Sequence, residues 1–441
     1  MGLTEEFMSV TVTGIRYGGH FPGMSVVADA PVGRDGDKLT FSRYVDPLIS
    51  VLTDDEQQTP FTIGVFGPWG SGKSSLLRMI SDELEQKHPD EFVCVRFNPW
   101  VYRGEPNILV PLLHTLRDTL AQDSSKRFVA SVKRIGEVLV NLAADVFLKA
   151  VTADSVSLEK LEELEQKYIE RRFLVESTMR NLHETLKDQV AAIRGSGARR
   201  IVLLVDDLDR CEPDQIISLL DSVKLFLDLE HVFVILAVDR EVVRRGIQVR
   251  YKDFKFSLGR DEIVGHEYLE KMVQLPIELF PLDVKQVEEL IESMLAGDDH
   301  KEVRGLLKKV VLPNARKIKR LVNTYAFVRS LMLADGTLKS LDRLIVLRLI
   351  ALQVQNPELY WEAVRLPSAL EALEKTYDGT FKSASDYGVY PVSIREPIQK
   401  LCERYYQPAS ALSFIFEKST FSKIEPKLMS QYLSMLGGRS V

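Results

Sequence analysis

The stretch Phe61-Thr62-Ile63-Gly64-Val65-Phe66 runs directly into Gly67-Pro68-Trp69-Gly70-Ser71-Gly72-Lys73-Ser74, which satisfies the spacing G-x-x-x-x-G-K-[ST]. Glycines so placed let the backbone turn with its N–H groups pointing inward around a phosphate. Lys73 adds a mobile positive charge, and the Ser74 hydroxyl can ligate Mg²⁺. Between Ser74 and Gln86, Leu76, Leu77, Ile80 and Leu84 recur at helical spacing. The loop is therefore expected to end at a helix N-terminus, whose dipole favours an anion. This order of strand, loop and helix calls for a mostly parallel α/β sheet. The expected nucleotide-binding residues are Gly67, Pro68, Trp69, Gly70, Ser71, Gly72, Lys73, Ser74 and Ser75, with Lys73 also catalytic.

Such a loop needs an acidic strand to hold the metal. Arg199-Arg200-Ile201-Val202-Leu203-Leu204-Val205-Asp206-Asp207-Leu208-Asp209-Arg210 supplies an apolar run ending in acids. A continuous apolar run suits a parallel strand buried on both faces, and ligands bind at its carboxyl end. Asp206, with Ser74, is expected at Mg²⁺, and Asp207 is expected to polarise the attacking water. The competing reading is that Asp207 and Asp209 cap a helix starting near Glu212-Pro213. A third strand, His231 to Val238, ends at Asp239-Arg240. Asp239 is either a γ-phosphate sensor or a helix cap.

Between Lys301 and Arg329 only Glu302 is acidic. Arg316 or Arg320 could reach back to the phosphates, the alternative being a solvated basic face. A net charge of −6 supplies no general attraction to nucleic acid, so a DNA-acting ATPase would have to rely on this local stretch. No Asn/Thr-Lys-x-Asp occurs, which disfavours GTP, and no Ser-Gly-Gly-Gln signature is found. ATP is the expected ligand. Cys94, Cys211 and Cys402 form no C-x-x-C pair, and the seven histidines form no spaced cluster. The amino terminus carries acids where a secretory signal needs a basic and then an apolar stretch, so a cytoplasmic setting is expected.

Taken together, these residues resemble the KAP family of P-loop NTPases, a branch related to AAA-type and STAND ATPases. The carriers are Asp37-Lys38-Leu39 with Phe41-x-x-Tyr44, the loop Gly67 to Ser74, and Arg96-Phe97-Asn98-Pro99-Trp100. Asp206-Asp207-Leu208-Asp209-Arg210-Cys211 and Ala315-Arg316-Lys317-Ile318-Lys319-Arg320-x-x-Asn323 complete the set. The resemblance implies ATP binding with Mg²⁺ and, in bacterial members, a frequent association with defence against phage. It divides the chain into an extension over 1–36, a P-loop domain over 37–330 with a helical insertion at about 122–198, and a helical region over 331–441.

Relatives often carry a transmembrane hairpin in that insertion. Here the apolar candidate, Val129 to Val151, contains Lys133, Arg134, Glu137, Asn141, Asp145 and Lys149. Charges at a helix centre cost about 2.5 to 3.5 kcal/mol each on insertion scales, so no membrane crossing is expected. Leu158 to Ile193 has a heptad-like series interrupted by Glu165, Arg172 and Gln189, which favours an antiparallel helical pair over a dimeric zipper. Insertion and tail are the expected surfaces for a partner protein or a second copy. The function expected is an ATP-driven switch or assembly ATPase. A scaffold that binds ATP with negligible hydrolysis is the alternative.

Overall fold

A computed structural model describes residues 27–105, 108–122, 184, 187, 200–227, 229–250, 269–295, 301–310, 314–334, 342–408, 410–417, 419 and 421–435. The apolar segment Val129 to Val151 and nearly all of Leu158 to Ile193 lie outside these residues. The chain folds as two compact units. One runs from Asp29 to Val287 and takes in Pro313–Arg316; the other comprises Glu288–Leu312, Lys317–Val441 and the residues before Asp29, so far as these are described.

The first unit is built on five strands, β1 (Phe61–Phe66), β2 (Phe92–Phe97), β3 (Arg200–Val205), β4 (Val232–Val238) and β5 (Leu275–Glu278), in the order β2-β3-β4-β1-β5. Every pairing is parallel. The reason is visible in the strands themselves: all seven residues of β4 are buried, as are five of the six in both β1 and β3. Strands covered on both faces read as continuous apolar runs. Phe233, Ile235 and Ala237 of β4 face a core shared with α1 (Ser42–Thr53) and α2 (Lys73–Lys87). Val234, Leu236 and Val238 face the core of α3 (Leu109–Gln122) and the helices Pro213–Leu227 and Arg240–Arg250. This is the three-layered α/β P-loop architecture. The register sets Phe66 opposite Val238, and Val205 opposite both Leu236 and Phe97, so the strands finish at one edge. Because β4 separates β1 from β3, residues following those two strands meet across its end.

The second unit is helical. Asp342 caps the helix Arg343–Gln355 by accepting from Leu344 N at 2.7 Å, and Asn356 caps the next, Pro357–Arg365, by accepting from Leu359 N at 3.0 Å. The helix Lys301–Val310 buries Val303, Leu306, Leu307 and Val310 and neighbours Arg343–Gln355 and Ala411–Phe416. For that reason the boundary between the units falls earlier than the end of the 37–330 span read from the motifs. No helix among the described residues is long and apolar enough to cross a membrane.

Candidate functional site

The glycine loop is locked by sterics on three sides. Gly70 and Gly72 adopt φ of +81° and +98°, the left-handed region that an L side chain resists. A Cβ at Gly67 would stand 2.6 Å from Ser71 Oγ, one at Gly70 2.6 Å from Asn314 Oδ1, and one at Gly72 2.2 Å from Phe41 Cζ. Phe41 is brought there by Asp37, whose carboxylate accepts from Leu39 N, Phe41 N and Ser42 N at 3.2, 3.0 and 2.8 Å. Asn314 closes the far side by donating to the Trp69 carbonyl at 2.7 Å.

Lys73 opens α2 and is 6% exposed. Its Nζ donates to the carbonyls of Gly67 at 2.8 Å and Pro68 at 3.3 Å and lies 3.3 Å from Asp209 Oδ2. Ser74, one residue on, hydrogen-bonds the Asp206 carboxylate, which also accepts from Asp207 N at 2.8 Å. Burial pushes the Asp206 carboxyl above its ordinary range. The bonds from Ser74 and Asp207 N oppose that rise, and the charges of Asp207 and Asp209 add to it. A hydroxyl and a carboxylate are hard oxygen donors of the kind Mg²⁺ accepts when substrate phosphates and water complete its shell. Ser74 and Asp206 also line a cleft of about 410 Å³ together with Asn98, Leu77, Arg78 and Arg96.

The strand ends at Val205, and the acids that follow are separated by a left-handed residue: Asp207 has φ of +56°. Its Oδ2 accepts from Asn98 Nδ2 at 2.9 Å and its Oδ1 is 2.8 Å from Arg210 Nε. Asp207 makes no side-chain capping bond. Each acid therefore has its own engagement: Asp209 with Lys73, Asp207 with Arg210 and Asn98, Asp206 with Ser74. Among the described residues, the partners of the Asp207 carboxylate are Asn98 and Arg210 and that of Asp209 is Lys73, with no bond to either from the helix Pro213–Leu227. Asp239 does cap, accepting from Glu241 N at 3.0 Å. The Cys211 thiol is pushed up to about 11, chiefly by burial and then by Asp209 and Asp207, so it stays protonated near neutrality.

Around the loop apex, Trp69 is 59% exposed, and the guanidiniums of Arg210 and Arg316 lie 5.8 and 5.6 Å from its ring centroid. Arg210 lies 5.3 Å from the Trp100 ring as well. Arg316 is thus beside the loop, with its Nε 2.5 Å from Asp29 Oδ2. Ser75 accepts from Val32 N at 3.2 Å and so ties down the chain before α1. Arg320 belongs to the other unit and is exposed. Reasoning from sequence missed the Asp209 bond to Lys73, the Asn98 bond to Asp207, and the roles of Phe41 and Asn314. The available signal for Phe41, Asn98 and Asp209 was their place in the strings Asp37 to Tyr44, Arg96 to Trp100 and Asp206 to Cys211.

Comparison with known proteins adds to this geometry. The model of the KAP family P-loop domain matches residues 41–332. The chain is 24% identical over 287 residues to the phage T7 exclusion protein of Escherichia coli (strain K12), covering 58% of this chain and 34% of that protein. It is 23% identical over 176 residues to an uncharacterized protein of Methanocaldococcus jannaschii, covering 32% of this chain and 87% of the relative. A 56-residue stretch, 13% of this chain, is 38% identical to kinase D-interacting substrate of 220 kDa of Rattus norvegicus, of which it covers 3%. The chain thus spans about a third of the length of the exclusion protein. Among solved structures, Aeropyrum pernix ORC1 in complex with DNA aligns at a TM-score of 0.37 and 12% identity, covering 90% of this chain and 82% of that one.

Proposed function

Because this chain belongs to the KAP family of P-loop NTPases, we propose that it binds ATP with Mg²⁺ at Gly67–Ser74, hydrolyses it, and uses the cycle as a switch. The observation that carries this reading is the convergence of Lys73, Ser74 and Asp206 at one edge of the sheet, with Ser74 bonded to Asp206. Backbone N–H groups of the loop and the Lys73 ammonium would neutralise the β- and γ-phosphates. Ser74 and Asp206 would hold Mg²⁺, which when bound neutralises charge developing on the phosphate oxygens. Asp207 would orient the attacking water and take its proton. Its carboxylate is steadied through both oxygens, by Asn98 and by Arg210. Fixing a base in this way removes the cost of ordering it during the reaction.

The name of the phage exclusion relative supports a role in defence against phage. The insertion over about 122–198 and the C-terminal helices would be the surfaces through which the cycle reaches a partner or a second copy, in the cytoplasm. A DNA-acting role draws less support, because cations of the basic stretch are engaged: Lys308 lies 3.1 Å from Glu292, and Arg316 pairs with Asp29. The deciding experiment measures ATP turnover and molecular mass together, for wild type and Lys73→Ala, with and without nucleotide. Turnover that is lost in Lys73→Ala is expected. Turnover unchanged in the variant rejects the site, and ATP binding without wild-type turnover leaves a nucleotide-dependent scaffold.

A further inference from the structure

An ammonium has three N–H donors, and those of Lys73 meet three acceptors: the carbonyls of Gly67 and Pro68 and the Asp209 carboxylate at 3.3 Å. The carbonyls are neutral, whereas the carboxylate carries a full charge. Both side chains of the ion pair are only 6% exposed, so salt screens it little. Asp209 is held in place by the short turn Leu208–Arg210, which the left-handed Asp207 launches. Of the neighbouring cations, Arg210 is already paired with Asp207. Any phosphate that uses Lys73 must share it with Asp209.

We propose that Asp209 is an internal counter-anion for Lys73, one that competes with nucleotide phosphates for the ammonium and so sets how weakly the nucleotide is held. This rests on the reading that ATP binds at the glycine loop. Two effects act with the same sign. In nucleotide-free protein the carboxylate compensates a buried ammonium that would otherwise be stranded. In the complex it repels the polyphosphate. Neutralising Asp209 therefore destabilises the free protein and tightens the complex, whereas neutralising an acid that merely anchored Lys73 would loosen it. The gain should be larger for ATP than for ADP, which carries less charge.

The test uses the full chain as wild type, Asp209→Asn, Asp209→Glu, Lys73→Ala and the double variant Lys73→Ala/Asp209→Asn. ATP and ADP affinities are measured in EDTA, and melting temperatures with and without saturating ATP. For Asp209→Asn, ATP should bind roughly tenfold more tightly, following the Coulomb repulsion removed. ADP should gain less. The melting temperature should fall without nucleotide and recover with it, so a variant that purifies only in the presence of ATP also meets the expectation. Asp209→Glu should bind like wild type, and Asp209→Asn should gain less in the Lys73→Ala background, where competition for the ammonium is gone and only the direct repulsion is left to remove. Weaker ATP binding in Asp209→Asn overturns the counter-anion role, as does an equal gain in the Lys73→Ala background. A wild type that binds no ATP removes the nucleotide reading itself, and this role with it.

Discussion

Two adjacent strands end alike and finish differently. β3 closes on Val205-Asp206-Asp207 and reaches an arginine at 210; β4 closes on Val238-Asp239-Arg240. After β4 a helix begins at once, so Asp239 turns its carboxylate to Glu241 N. Arg240 lies 3.9 Å from the Phe66 ring centroid and pairs with Glu278 at 2.7 Å. After β3 a left-handed residue and a short turn intervene before the helix, and three carboxylates are freed for Ser74, Arg210 and Lys73. An acid at a strand end becomes structural or chemical according to what the backbone does next.

The sharpest way to break that contrast is Asp206→Asn. It should raise the Mg²⁺ requirement and weaken Mg·ATP binding by more than the roughly 10–100-fold that loss of an outer-shell metal group costs. A Mg²⁺ titration of ATP binding checks it. Asp207→Asn should slow single-turnover hydrolysis by about 100-fold while leaving affinity nearly intact, the signature of an interaction made in the transition state. Equal losses of affinity in both variants would place both acids at the metal. On the other strand, Asp239→Ala should cost about 1 kcal/mol of stability as a lost cap, with turnover within about twofold of wild type. A collapse of turnover there would make β4 a second chemical strand.

The smallest effect is one of opposite pH signs, read as melting temperature against pH without nucleotide or metal. Asp206 is raised by burial, so the native state binds its proton more tightly and stability falls as pH rises through that interval. Asp206→Asn should therefore melt higher than wild type toward neutral pH and lose that advantage in acid. Glu241 is held down at about 2, first by its hydrogen bonds with Arg244 and Arg245. Its contribution is present above the ordinary carboxylate range and is lost as pH falls toward 2. The deficit of Glu241→Gln should fade over that range, and parallel curves for the two variants would erase the distinction.

Much of the fold was legible because buried parallel strands leave unbroken apolar runs; β1, β3 and β4 lie where those runs are. The loop was legible because its glycines obey a spacing. What was hidden depends on contacts between distant segments. Phe41 meets Gly72 only after Asp37 has turned the chain into α1, and Asn314 meets Trp69 from 245 residues away. The split ahead of residue 330 was hidden as well, since the partners of Lys301–Val310 are helices beginning at Arg343 and Ala411. Asp207 and Asp209 could not be separated from helix caps without the left-handed backbone at 207.

The alternation of guanidinium and indole around the loop apex has an optical consequence. The chain contains three tryptophans. Trp69 and Trp100 both lie within 6 Å of Arg210, whereas Trp361 stands in the helical unit with its ring 5.4 Å from Tyr360. Nearby cations shift and quench indole emission, so any movement of Arg210 is written into the fluorescence of the first pair. Trp361 supplies the steady background against which that signal is read. The protein therefore carries its own dye at the glycine loop, and Trp361→Phe would leave a chain whose tryptophan emission comes from the site alone.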